Sequence, residues 1–292
     1  MLSIIAPIFN RPEYTSVFLE HLYEVDHGVP VQIIISDNGS RRKTKETVKS
    51  WVEKWPTLPS DVKLRIFEPM VVWGERNAGF AGAINAALTA VTQPYITVLH
   101  NDALPFAGWA KEIIHVFETA DDDIGIVIPR TLYSNEGSPC IPELRKEFEA
   151  IKPPNKDRIT PEEIKAIVTK LFPDGQEAFL KTLPEKYPLR YSYSPEISSF
   201  CMTFKKELID QYGKFDEDFW PRGYEDALWF RKIERDGLIC MISNHSFCFH
   251  FGNISSDGAG FCFADNMRML EEKFKTKCLE MDKIGATQKT SV

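Results

Sequence analysis

Residues 2–40, LSIIAPIFNRPEYTSVFLEHLYEVDHGVPVQIIISDNGS, decide the fold. The run LSIIAPIF (2–9) is short, apolar and rich in β-branched residues, and Asn10-Arg11-Pro12 ends it. It reads as a buried strand entering a loop. Across 13–25 the apolar positions Val17, Leu19, Leu22 and Tyr23 have helical spacing. VQIIIS (31–36) is a second buried strand, stopped by Asp37-Asn38-Gly39-Ser40. Two continuously apolar strands joined through a helix indicate a parallel sheet covered on both faces.

The alternation continues outward from this unit. A basic helix through Val48, Trp51 and Val52 is followed by VKLRIF (62–67), which alternates like a strand. An alanine-rich helix then spans 80–91, YITVL (95–99) is a strand, 109–118 a helix and IGIVI (124–128) a strand. The expected class is α/β, a Rossmann-like, mostly parallel central sheet with helices on both faces. Ligands of such sheets collect at the carboxyl ends of the strands. Three polar clusters stand there, Asn10-Arg11, Asp37-Asn38 and Asn101-Asp102, and they should converge in space.

From 134 to 195 nine prolines punctuate short helical pieces, and Thr160-Pro161-Glu162-Glu163 reads as an N-cap with proline at the first helical position. This stretch is expected to be a helical insertion that packs on the sheet edge or covers the site. Beyond it come a strand (197–204), a helix (205–212), a loop (213–223), a helix (224–236), two short strands within 238–250 and a flexible loop, GNISSDGAG (252–260). An amphipathic helix over 263–281 ends the pattern. The divisions are 1–133, 134–195, 196–262 and 263–292, within one domain overall.

Composition bounds the function. Of 292 residues, 43% are hydrophobic and 26% charged, which excludes disorder and fibrous repeats. Lysine plus arginine is 35 against 42 acidic residues, a balance unlike that of a free-standing duplex-DNA binder. No two of the six cysteines form C-x-x-C, so they read as reduced thiols rather than a zinc knuckle. The first residues lack a basic region ahead of their apolar run, and no stretch is long enough to span a membrane. The expectation is a soluble cytoplasmic protein.

Five places carry residues suited to chemistry. Asp102, just past a buried strand, can hold Mg²⁺ or Mn²⁺, or simply start a turn. Asp37 can accept hydrogen bonds from a ribose or base, or cap the next helix. Gly79 and Gly82, at a helix start, permit close approach of phosphate to the backbone, though close helix–sheet packing explains them equally well. Glu225-Asp226 open a helix after the aromatic loop FDEDFWPRGY (215–224). One of them can serve as a general base with Trp220 and Tyr224 as a stacking wall, or both can answer the helix dipole. His250 is either a metal ligand or structural, and His100 reads as a packed polar residue.

Taken together the motifs resemble the family-2 glycosyltransferases of the GT-A fold, particularly the bacterial rhamnosyltransferase-like branch. SIIAPIFNRPEY, IIISDNGS, ERNAGFAGAINAAL, ITVLHNDALPFAGW, the block ISSFCMTFKKELIDQYGKFDEDFWPRGYEDALWFRKIERDG and HFGNISS follow the family's motifs in order. Only 134–195 and the C-terminal helix lie outside. The resemblance implies a donor pocket lined by Pro7, Asn10, Arg11, Asp37, Asn77, Gly79 and Asn101, with Asp37 on the nucleoside. It implies Mn²⁺ or Mg²⁺ at Asp102 and His250, and Asp226 as the base on an acceptor hydroxyl, with Glu225 orienting it and inversion at the anomeric carbon. UDP- or dTDP-sugars are the implied donors, and the acceptor a glycan or another hydroxyl compound. Two positions depart from the pattern. His100-Asn101-Asp102 lacks the first aspartate of D-x-D, and Leu228 stands where a second aspartate often follows the Glu-Asp pair. Two alternatives are a non-catalytic nucleotide-sugar binder with a decayed metal site, and a transferase acting on a hydroxylated base in nucleic acid. Against the latter, ten basic residues of the insertion are offset by ten acids.

Overall fold

The computed structural model describes residues 1–120, 123–132, 139–153, 159–195, 197–252 and 265–275. The first half follows the expected alternation: β1 (Leu2–Ile8), α1 (Pro12–Glu24), β2 (Val31–Asp37), α2 (Arg42–Lys54), α3 (Ser60–Arg65), β3 (Met70–Trp73), α4 (Gly79–Leu88), β4 (Tyr95–Leu99), β5 (Ala103–Pro105), α5 (Trp109–Thr119) and β6 (Ile124–Arg130). Next come α6 (Pro142–Ile151), α7 (Pro161–Leu171), α8 (Gln176–Lys186), β7 (Tyr191–Ser194), β8 (Cys201–Lys205), α9 (Glu207–Tyr212), α10 (Glu225–Arg235) and β9 (Ile239–His250). A last helix, α11, covers 265–275.

Among the described residues nine strands form one sheet in the order β3-β2-β1-β4-β8-β6-β9-β5, with β7 pairing β9. β1, β2, β3, β4, β6 and β9 run one way, while β8, β5 and β7 oppose them. Alternate residues of each central strand feed two cores. Leu2, Ile4 and Ala6 of β1 and Ile33 and Ile35 of β2 face α1, α2 and α5. Ile5, Ile34 and Val98 face α4, α9 and α10. Burial on both faces is why these strands are apolar throughout.

The strand expected at 62–67 is a correction. Pairing as a strand would put Val62, Leu64 and Ile66 on one face. Instead Ile66 is fully buried and Val62 packs on the core, whereas Leu64 is 77% exposed. That is the i, i+4 face of a helix, and Ser60–Arg65 is helical. The edge strand lies later, where Met70–Trp73 pairs with Ile34–Asp37. The two short strands expected within 238–250 are one, β9, whose pairing to β6 shifts register between Pro129 and Arg130.

The insertion packs on a sheet face. Leu144, Phe148, Ile164, Val168 and Leu171 join the core that holds α1, and Phe172 and Phe179 stand edge-on to Phe247 at 5.8 and 4.8 Å. Its last piece is a strand, since Tyr191–Ser194 pairs with β9. The expected cap of α7 is present: Thr160 Oγ1 accepts from Glu163 N–H, and Glu163 Oε2 accepts from Thr160 N–H. The loop expected over 252–260 lies, from 253 on, outside the described residues. Among the described residues, no helix is long and apolar enough to cross a membrane. The four cysteines described, Cys140, Cys201, Cys240 and Cys248, are buried.

Candidate active site

The strand ends converge as the topology requires. Ile8 pairs with Asp37 across the parallel β1–β2 ladder, so the loops after β1 and β2 emerge side by side. Asn10 and Arg11 both have left-handed backbones. Asn10 N–H donates to Ser40 Oγ (2.9 Å), and Asn10 Oδ1 accepts from Arg41 N–H (2.8 Å). Asp37 is buried at the end of β2. Its Oδ2 accepts from Ser40 N–H (3.2 Å) and lies 3.7 Å from Lys45 Nζ. Its Oδ1 is buried with no hydrogen-bond partner among the described residues. A buried bare carboxylate oxygen is costly, and a donor group of a ligand would offset that cost. Pro7 is partly exposed beside Ser36, whereas Asn101 is buried and donates to Thr15 Oγ1 of α1.

Asn38, next to Asp37, anchors the start of α4. Its Nδ2 donates to Asn77 Oδ1 (2.9 Å) and Gly79 O (3.0 Å), and its Oδ1 accepts from Ala78 N–H (2.8 Å). Gly79 N–H donates to Asn77 Oδ1, and Phe80 N–H donates to Pro221 O. The N–H groups of residues 78–80 are therefore bonded within the protein. Gly79 serves packing. Its φ is +82°, and a Cβ there would meet Pro221 O and Trp220 Cδ1 at 3.1 Å.

The second constellation was only half legible. β5 pairs antiparallel with the end of β9, setting Ala103 opposite His250, and Phe251 N–H donates to Asp102 O. That pairing brings His250 Nε2 to 3.4 Å from Asp102 Oδ1. His100 Nδ1 lies 3.9 Å from the same oxygen, and single ligand atoms of His100, Asp102 and His250 all lie within 4.8 Å of one another. His100 is thus brought into the site from which the packed-residue reading excluded it. Phe200 stacks on His250 (4.8 Å between centroids) and Phe80 stands edge-on to His100 (5.1 Å). Burial pushes the His100 imidazole down to about 3 against the opposing pull of Asp102, so it is neutral at physiological pH. Neutral imidazole is the ligating form. Two imidazoles and one carboxylate are a chemically sound donor set for a divalent transition ion.

Glu225 and Asp226 open α10 behind Tyr224, which has a left-handed backbone. Glu225 is buried, and its Oε2 has no hydrogen-bond partner among the described residues. Burial, and next the neighbouring Asp226, push its carboxyl up to about 8. Asp226 is only half-buried by exposure. Burial raises its pKa too, opposed by hydrogen bonds from Ser199 and Ala227 N–H. The Ser199-Phe200 dipeptide joins the two constellations. Ser199 bonds Asp226, while Phe200 O accepts from His100 N–H (2.9 Å) and its ring lies on His250. The Arg222 charge acts on both His100 and Glu225. Ser199, Phe200 and Arg222 carried no distinctive sequence signal beyond lying beside a strand and the Glu-Asp pair. Trp220 is 58% exposed and donates to Asn77 O at 3.4 Å. Tyr224, partly exposed, packs on the small cluster of Phe219, Leu228 and Leu270. Helix α11 holds this loop from behind. Asn266 Nδ2 donates to Arg222 O and Gly223 O, and Lys273 pairs with Asp216 and Asp218.

The mixed sheet and its helices match the glycosyltransferases of the GT-A fold. The sequence matches the profile of Glycosyl transferase family 2 over residues 3–213, and the chain belongs to that family. It is 23% identical over 259 residues to a chondroitin synthase of Pasteurella multocida, covering 85% of this chain and 24% of that protein. The chain thus spans about a quarter of that curated relative's length. Among solved structures it resembles the mannosyltransferase PcManGT of Pyrobaculum calidifontis in complex with GDP-Man and Mn²⁺ (TM-score 0.55, 20% identity, 88% of this chain and 58% of that one). It also resembles S. aureus TarS 1–349 in complex with UDP-GlcNAc (TM-score 0.56, 14% identity, 92% and 65%).

Proposed function

We propose that the protein is an inverting, metal-dependent glycosyltransferase that moves a sugar from a nucleotide-sugar, with UDP or dTDP as carrier, to an acceptor hydroxyl. The observation carrying this reading is the Ser199-Phe200 bridge, which sets a reachable carboxylate beside a His/Asp cluster in a family-2 chain. In this reading Asp37 accepts from the nucleoside through Oδ1, and Asn10 and Arg11 line the pocket with Pro7. Asn77 and Gly79 act by fixing the loop next to Asp37. A Mn²⁺ or Mg²⁺ ion held at Asp102 and His250 would supply charge neutralisation for the departing diphosphate. Asp226 takes the proton of the attacking hydroxyl. A single displacement with the base opposite the leaving group inverts the anomeric centre. Glu225 is protonated at neutral pH, so it serves as a hydrogen-bonding neighbour that orients Asp226 rather than as the base. Trp220, exposed at the rim, offers a stacking face for an acceptor sugar.

The test is Asp226→Asn with donor binding and turnover measured side by side. A base predicts lost turnover with donor binding kept, whereas a binder would show no change in either. The nucleic-acid acceptor gains no support from the insertion: Lys165, Lys181, Lys186 and Arg190 pair with Glu20, Glu177, Glu143 and Glu112, so they do not form a phosphate track.

A further inference from the structure

We infer that His100 is itself a metal ligand, and that the site it completes selects first-row transition ions such as Mn²⁺ and rejects Mg²⁺. The inference rests on the metal-dependent reading above and specifies the ion that reading requires.

His100 occupies the position where the family pattern carries a carboxylate, and the structure does not leave it idle. Its backbone is pinned by Phe200 O, and its ring is fixed between the edge contacts of Phe80 and His250. Nδ1 stands 3.9 Å from Asp102 Oδ1, and Nε2 is buried without a hydrogen-bond partner among the described residues. Two atoms bound to one ion at about 2.1 Å lie no more than about 4.2 Å apart. The contacts of both histidines to Asp102, 3.4 and 3.9 Å, meet that limit. The histidines need only a small side-chain movement, since all three ligand atoms already lie within 4.8 Å of one another.

The donor set then decides the ion. Mg²⁺ prefers oxygen ligands and gives up water reluctantly, so two imidazoles and a single carboxylate hold it poorly. Imidazole nitrogen shifts preference toward the transition series, and Mn²⁺ still accepts carboxylate and phosphate oxygens. A second aspartate at position 100 would remove that discrimination.

The test is Mn²⁺ electron paramagnetic resonance, in which the free-ion signal falls on binding. The full chain is titrated alone and with UDP, GDP or dTDP, and Mg²⁺ is then added as competitor. We expect Mn²⁺ to bind at least about tenfold more tightly than Mg²⁺. We expect His100→Asp to narrow that gap to about threefold or less, and His100→Ala to weaken Mn²⁺ by at least about tenfold. Mg²⁺ displacing Mn²⁺ from the unmodified protein at equal concentration overturns this inference and leaves the metal-dependent reading standing. That comparison needs no variant to fold. Unchanged Mn²⁺ affinity in His100→Ala overturns the ligand assignment. Absence of Mn²⁺ binding under every condition overturns both.

Discussion

The loops after β1 and β2, which Asn38 ties to the start of α4, and the loop leading into α10, which the same helix start touches where Phe80 N–H donates to Pro221 O, are held in opposite ways. The first pair is held from within. Asn10, Ser40 and Asn38 spend their side chains on neighbouring backbone groups, and Gly39, at φ +71°, packs against the backbone of Arg76. Asp37 Oδ1 is buried there with no hydrogen-bond partner among the described residues. The second loop is held from outside, by α4 on one side and by Asn266, Leu270 and Lys273 of α11 on the other. There the cost falls on two adjacent carboxyls whose pKa values are both raised. A pocket built from its own loop presents a fixed binding surface, whereas a site assembled from distant helices can be tuned for proton transfer.

Substitutions can break that contrast, and the largest effect is expected at Asp226. Asp226→Asn should lower turnover by about 10³-fold, within the range for removal of a general base, while donor affinity measured by calorimetry stays within about twofold. On the other side, Asp37→Asn should weaken nucleotide binding by about tenfold or more and leave the rate at saturating donor nearly unchanged, because the lost contact is shared by ground and transition states. Gly39→Ala tests the self-held loop. Its Cβ would lie 2.4 Å from the Arg76 carbonyl carbon, so about 2–4 kcal/mol of stability should be lost in urea unfolding. Leu270→Ala tests the outside support: a stability loss of about 2–4 kcal/mol should come with a slower turnover and an unchanged nucleotide affinity.

A further expected effect concerns pH and sharpens the assignment of roles to the carboxyl pair. Glu225 titrates near 8 in the folded protein against 4.5 as its ordinary value. Between those values the folded state holds a proton that the unfolded state has lost. Stability from this group is therefore fully present below about pH 4.5 and declines as pH rises toward 8. Melting temperature should fall from pH 5.5 to pH 8, and Glu225→Gln should flatten that slope by removing the titration.

What could be read from sequence follows the same division. The parallel strands, the helices between them and the Asp37 loop depend on neighbours in sequence, so LSIIAPIF and VQIIIS declared them. VKLRIF misled because its alternation also fits a short helix whose i, i+4 face is buried; the helix ends at Arg65, and Ile66 alone keeps a parallel bridge to Val31 of β2. His100 was set aside because its partner His250 lies 150 positions later and is delivered by β5–β9 pairing, a long-range event without a local signature. Ser199, Phe200 and Arg222 were missed for the same reason, and so was α11 as a support of the acceptor-side loop. Gly79 was visible as a special position, but sequence could not say whether phosphate or the Trp220-Pro221 backbone approaches it.

The most direct test of the central claim, that one metal-dependent nucleotide-sugar site spans both regions, is a thermal-shift panel on the full chain. UDP, dTDP, GDP and their sugar conjugates are each measured with and without Mn²⁺. A ligand bound only by the folded state raises the melting temperature by mass action. The account predicts a shift for a uridine or thymidine nucleotide that requires the ion and disappears in Asp37→Asn. Absence of a shift for every nucleotide, with and without Mn²⁺, would contradict it.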